Sequence, residues 1–139
     1  MEKFISEYLK KLNINISNEQ CKQFIIYKNI LVEWNKVMNL TGITEDKDVC
    51  IKHFADSVTI INTIDFKGKS VIDVGTGAGF PGLPLKIVEP EIKLTLLDSL
   101  TKRLNFLEEV CKNIGVKSEF IHGRAEELGQ NKEYREKYD

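Results

Sequence analysis

Between Asp73 and Gly82 the chain reads DVGTGAGFPG, which puts Gly75, Gly77, Gly79 and Gly82 within eight residues. Glycines this dense let the backbone turn tightly and approach a ligand with no Cβ in the way. The helix expected next, with Pro81 and Pro84 near its first turn, would aim free backbone N–H groups into the crevice. A nucleotide-type cofactor is the ligand such a turn suits. Two registers compete. Gly77-Ala-Gly79-Phe-Pro-Gly82 satisfies G-x-G-x-x-G, the dinucleotide fingerprint, with Asp98 about 20 residues downstream. The other register is Asp73-Val-Gly75-Thr-Gly77-Ala-Gly79, an acid at a strand end followed by G-x-G-x-G.

The second register resembles motif I of class I S-adenosylmethionine-dependent methyltransferases, and chemistry favours it. A pyrophosphate needs converging N–H donors, and Pro81 supplies none. A carboxylate at Asp73 is awkward beside a pyrophosphate and useful beside a sulfonium and an ammonium. Asp98 does not separate the two ligands, since both contain a ribose whose hydroxyls it can accept. Its bland alternative is electrostatic support of the next helix start. Gly123-Arg-Ala-Glu-Glu127 follows a third short strand and can wall an adenine or form a solvated turn.

The elements that must position these residues fall into two parts of a single domain, with the boundary near Ile64. Residues 1–64 read as helical. Phe4, Ile5, Tyr8, Leu9 and Leu12 form one apolar stripe, and Ser17-Asn-Glu-Gln20 is a capping-box start. Cys21, Phe24, Ile25, Leu31, Trp34 and Met38 continue at helical spacing to a break at Asn39–Gly42. Thr44 can cap a third helix ending near Asn62. Residues 65–139 switch to βαβ. The strands are Val71–Val74, Lys93–Asp98 and Ser118–His122, the first reading as a strand covered on both faces. Ser99 is expected to cap a helix whose buried face is Leu100, Leu104, Leu107, Cys111 and Ile114, with Gly115 ending it. Such a pattern predicts an open parallel sheet with its ligand at the carboxyl ends of the strands.

Composition fits an ordinary globular domain, at 139 residues and 42% hydrophobic. No apolar run approaches the roughly 18 residues of a membrane span, and no cleavable signal segment is recognised. Cys21, Cys50 and Cys111 are odd in number and lack C-x-x-C spacing. They argue for a reducing, cytoplasmic setting and against a disulfide framework or metal site. Residues 1–64 hold eight Lys/Arg and eight Asp/Glu, and the remainder twelve and thirteen. Neither part has the basic excess of a protein that relies on phosphate contacts.

Leu31-Val-Glu-Trp-Asn35-Lys-Val-Met-Asn39-Leu-Thr41, Lys52-His-Phe-Ala-Asp-Ser57, DVGTGAGFPGLPLKI, LLDSLTKRLNFLE and HGRAEELG occur in that order. From about Cys21 onward the chain resembles the bacterial 16S ribosomal RNA methyltransferase G family, also called glucose-inhibited division protein B. The resemblance implies an α/β, Rossmann-like class I methyltransferase fold behind an N-terminal helical segment. It also implies S-adenosylmethionine as cofactor and 16S ribosomal RNA in the small subunit as partner, methylated at N7 of one guanosine. Gly75, Phe80, Ala125 and Glu126 match family positions that contact the methyl donor, while Asp73, Gly77, Gly79 and Asp98 match the general methyltransferase pattern. Phe80 reads as a flat apolar wall, with a core aromatic as its alternative. Guanine N7 carries an in-plane lone pair and no proton, so no general base is needed and no catalytic residue stands out.

His53 and Asp56 share a helix face and can pair as a structural stitch between helices and sheet, while the resemblance implies a place near the active-site mouth. Asn35 and Asn39, one turn apart, can cap the helix end or contact RNA, and Trp34 reads as core. The competing functions are a nucleotide-dependent oxidoreductase and a non-catalytic RNA-binding or ribosome-associated module. In the family, Tyr138-Asp139 opens a fourth strand, and the usual sheet order is 3-2-1-4-5-7-6. The chain is therefore expected to stop after strand three, leaving strand one at an open edge prone to self-association.

Overall fold

The computed structural model describes residues 2–38, 54–62 and 65–124. The capping box forms as its spacing requires. Ser17 N–H donates to Gln20 Oε1 at 2.7 Å, and Gln20 N–H donates to Ser17 Oγ at 3.1 Å. It opens helix α2, Asn18–Met38, which follows α1, Glu2–Lys11. Ile5 and Leu9 of the α1 stripe are buried against α2. A helical turn at 54–58 leads into a 3-10 turn, Thr59–Asn62, whose Asn62 Nδ2 donates to the Leu12 carbonyl at 2.8 Å. The expected break at Asn39–Gly42 and the Thr44 cap lie outside the described residues.

Three parallel strands follow: β1, Ser70–Val74; β2, Lys93–Asp98; and β3, Glu119–His122, in the order β1-β2-β3. The register pairs Val74 with Leu97 and Asp98 with His122, so the carboxyl ends of all three strands meet at one edge. Helices α3, Gly82–Val88, and α4, Thr101–Ile114, connect them. The result is a Rossmann-like α/β arrangement. One cluster of buried residues contains Ile5, Leu9, Phe24 and Tyr27 from the helices together with Leu94 and Leu96 from the sheet.

Helix α2 does more than its apolar spacing suggests. Gln20 Nε2 donates to the carbonyls of Ile87 and Val88 at 2.9 and 3.2 Å, capping the end of α3. Three residues on, Gln23 Nε2 donates to the Ile114 carbonyl at 2.9 Å and caps α4. The last carbonyls of a helix lack partners within the helix, so one face of α2 satisfies two helix ends together. Tyr27 and Lys28, absent from the predicted stripe, are also buried on α2. Trp34 is half-buried, its ring centroid 5.7 Å from that of Phe106 and its Nε1–H donating to Glu109 Oε2.

The sheet departs from expectation in one respect. The fully covered strand is β2, buried from Leu94 to Asp98, whereas β1 is half-covered and Val74 is 51% exposed. Strand β2 has a partner on each side, while among the described residues β1 pairs with β2 alone. The start of α4 differs too. Leu100 occupies the extended residue before the helix, and no side chain caps it in the way foreseen for Ser99. Asp98 Oδ1 accepts the Leu100 N–H at 2.9 Å in its place. Because Leu100 precedes the first helical residue, helical phase does not carry it inward, and it is 49% exposed. Phe106 and Val110 join Leu104, Leu107, Cys111 and Ile114 in the buried face. Gly115 ends the helix in the left-handed conformation, φ 71°.

Phe106 is fully buried and its ring faces both Tyr27 and Trp34. Phe106→Ala should therefore cost about 3–5 kcal/mol, read as a lowered urea midpoint, against under about 0.5 kcal/mol for an exposed α4 position such as Lys112→Ala.

Candidate functional site

Strand β1 delivers Asp73 to the carboxyl edge of the sheet, where the loop 75–81 folds back over it. Asp73 Oδ2 accepts the Thr76 hydroxyl at 2.8 Å and the Gly82 N–H at 3.0 Å. The carboxylate thus spans the loop, fixing its first turn and the first residue of α3. Gly82 is glycine because of this closeness. A Cβ there would stand 2.9 Å from both Asp73 Cβ and Oδ2, and 3.0 Å from Leu94 Cδ1. Both Asp73 and Thr76 are buried. Burial pushes the Asp73 carboxyl above its ordinary value, against the opposing pull of the Gly82 and Thr76 hydrogen bonds, and the charge of Asp98 adds to the rise.

Strand β2 delivers Asp98, buried at the same edge. Its Oδ2 accepts the Gly77 N–H at 2.9 Å, its Oδ1 accepts the Leu100 N–H at 2.9 Å, and Arg103 Nη1 lies 3.5 Å from Oδ2. Thr76 N–H donates to the Leu97 carbonyl at 3.0 Å, so the loop is zipped onto the end of β2. Strand β3 closes against the same place. Gly123 N–H donates to the Asp98 carbonyl at 3.1 Å, and His122 Nε2 lies 3.0 Å from the Ser99 carbonyl oxygen.

These bonds change the chemistry expected of the loop. The N–H groups of Gly77 and Gly82 go to two carboxylates, and those of Gly79 and Leu83 go to the carbonyls of Thr76 and Gly79. The helix start therefore does not present these groups to a crevice, as the glycine spacing had suggested. A pyrophosphate here would compete for N–H groups already bonded to anions and would face two negative charges. A ligand with positive charge meets no such conflict. Gly75 is exposed, and a Cβ on it would meet nothing within 4 Å, so the loop opens outward there.

The structure brings together Asp73, Gly75, Gly77, Gly79 and Asp98. Phe80 is half-buried and stands beside them in an aromatic group, its centroid 6.0 Å from Tyr27 and 5.6 Å from Phe54. Asp56 is exposed, and its carbonyl accepts the Thr59 hydroxyl at 2.7 Å. Asn39, His53, Ala125 and Glu126 lie outside the described residues.

Sequence reasoning passed over Thr76 and Tyr27. The Tyr27 hydroxyl donates to the Ala78 carbonyl at 2.5 Å across 51 residues of chain. A hydroxyl three residues past a strand-end acid was a usable signal for Thr76, whereas nothing local marks Tyr27. Val74 and Leu100 were read as core and are the large apolar side chains left exposed among the described residues. Both flank the site.

A family model described as rRNA small subunit methyltransferase G matches residues 20–139. Curated relatives described as ribosomal RNA small subunit methyltransferase G include one from Alkaliphilus oremlandii, 56% identical over 141 residues, covering 100% of this chain and 59% of the relative. Another, from Acetivibrio thermocellus, is 49% identical over 140 residues, covering 100% of this chain and 58% of the relative. A third, from Clostridium kluyveri, is 52% identical over 132 residues, covering 94% and 56%. The chain thus spans under two thirds of the length of these relatives.

The raised pKa of Asp73 has a consequence for stability. Asp73 binds its proton more tightly when folded, so its contribution is complete below the ordinary value of 3.8 and is lost as pH rises through the folded value. Asp73→Asn keeps an oxygen acceptor and removes the ionisation. The stability of the parent relative to D73N should fall as pH rises from about 3 to about 7, read from paired urea titrations. A pH-independent difference would contradict the burial described.

Proposed function

Because the chain belongs to the rRNA small subunit methyltransferase G family, we propose that it forms the donor-binding part of an S-adenosylmethionine-dependent enzyme that methylates N7 of a guanosine in 16S ribosomal RNA. The observation that carries this reading is the pair of buried carboxylates, Asp73 and Asp98, holding the glycine loop by its N–H groups. That arrangement suits a sulfonium and ammonium ligand and disfavours a dinucleotide. The bound donor would supply an electrophilic methyl group. Gly75 and the loop through Gly77 and Gly79 would lie against it, with Phe80 as a flat apolar wall. Asp98 retains lone pairs for ribose hydroxyls, and Ala125 and Glu126 would border the adenine.

Guanine N7 offers its lone pair without losing a proton. The work of the chain is then to hold nucleophile and methyl group in line and to exclude water, with no general base. Asn39, His53 and Asp56 are assigned to the RNA side of the site. Helical segment 1–64 and sheet segment 65–139 act as one domain, supported by the buried cluster they share. A ribosomal RNA substrate makes the cytoplasm the place of action, in keeping with the buried cysteines Cys21 and Cys111, which form no disulfide.

Calorimetry on the chain should give weak but measurable S-adenosylhomocysteine binding and no response to NAD. Gly75→Val should remove that binding, since position 75 has φ +65° and a side chain there would point into the opening. NAD binding without any response to S-adenosylhomocysteine would sink the proposal. The 139-residue chain alone should show no methyl transfer to 30S subunits, because it spans under two thirds of its relatives' length. Completed with the remaining length of a relative, it should produce 7-methylguanosine, identified by mass spectrometry of the digested RNA. With balanced charge, the chain alone should bind RNA weakly and lose that binding as salt rises, measured by filter binding. Nanomolar affinity at physiological salt would reveal a basic face that the composition hides.

A further inference from the structure

One peptide plane in the glycine loop is held at both ends, and one of its holders comes from the helical segment. The Ala78 carbonyl accepts the Tyr27 hydroxyl, and the Gly79 N–H of the same peptide donates to the Thr76 carbonyl at 2.9 Å. Tyr27 is fully buried on α2, packed against Phe54, Phe80 and Phe106, with centroids 4.8, 6.0 and 6.5 Å away. Its hydroxyl also sets the identity of the next residue. A Cβ on Gly79 would meet the Tyr27 oxygen at 2.5 Å and Leu107 Cδ2 at 2.8 Å, and Gly79 has φ +99°. Without the hydroxyl, the buried Ala78 carbonyl would lose the Tyr27 hydrogen bond and this peptide would be held at its Gly79 N–H end alone.

We propose that Tyr27 is a positioning residue for the donor loop: its hydroxyl fixes the Ala78–Gly79 peptide, and through it the path from Gly77 to Phe80. The inference rests on the donor-binding reading but is tested separately from it. Three features set Tyr27 apart from an ordinary core aromatic. Its hydroxyl donates to the loop across 51 residues of chain. It stacks on Phe80, the residue that follows the pinned peptide, with ring planes 24° apart. Its helix also caps the ends of α3 and α4, so the loop is referenced to the same element that orients the helices on either side of β2. Helix α2 thereby holds the loop on which the donor reading rests.

Tyr27→Phe keeps the ring and removes the oxygen. In the whole chain, amide hydrogen exchange at Gly79 should quicken about tenfold, as expected for one lost buried hydrogen bond, and S-adenosylhomocysteine affinity should weaken about tenfold. Exchange at Val110 and Cys111, toward the C-terminal end of α4, should stay unchanged. Phe106→Leu disturbs the same aromatic group without touching the hydroxyl, so it should lower Tm and leave Gly79 exchange as it was. Unchanged Gly79 exchange in Y27F would overturn the proposal. So would a uniform rise across the core, or an equal rise in F106L. If neither the parent chain nor Y27F binds S-adenosylhomocysteine, the donor reading fails, and Gly79 exchange still decides whether Tyr27 sets the loop.

Discussion

The carboxylate of Asp73 is the constraint from which the site follows. It is buried at a strand end and accepts one hydroxyl and one backbone N–H from opposite sides of a glycine-rich turn. A buried carboxylate without partners is costly, while hydrogen bonds to a charged acceptor contribute about 1.5–3 kcal/mol each. The loop therefore closes around Asp73, and Gly82 must approach without a Cβ. Once closed, the turn places the Gly77 N–H on Asp98 of the neighbouring strand, so two parallel strands share one loop.

The loop is also anchored from outside the sheet. Helix α2 reaches it through Tyr27 and reaches the far ends of α3 and α4 through Gln20 and Gln23. The three contacts lie on turns of one helix, so they fix the loop and the ends of α3 and α4 relative to one another. The helical segment and the sheet consequently share one core and do not form two that merely touch.

Electrostatics then weighs against an anion at this edge. Two acids lie at the strand ends, with Arg103 beside Asp98, and the N–H groups of Gly77 and Gly82 are bonded to those acids. A glycine loop arranged this way differs from a phosphate cradle, in which the N–H groups converge on the ligand. The G-x-G-x-x-G match is satisfied letter by letter, yet the strand-end acids turn its donors away from an anion.

Much of this was legible in the sequence because it depends on local spacing. The capping box, the second strand, the helix end at Gly115 and the acid-glycine pattern are set by residues a few positions apart. Helical phase, strand alternation and left-handed φ are properties of short segments. The segments WNKVMNLT and KHFADS also marked the family, since they restrict it more than glycines do. What only the tertiary structure decided involves partners far apart in the chain. Tyr27 meets Ala78 51 residues away, Gln23 meets Ile114 91 residues away, and Asp98 meets Gly77 21 residues upstream. Leu100 and Val74 face out because of where the helix begins and which strand edge is paired. Spacing constrains what neighbours along the chain can do, whereas the partner of a buried polar atom is set by which surfaces pack, and no short window of sequence contains that.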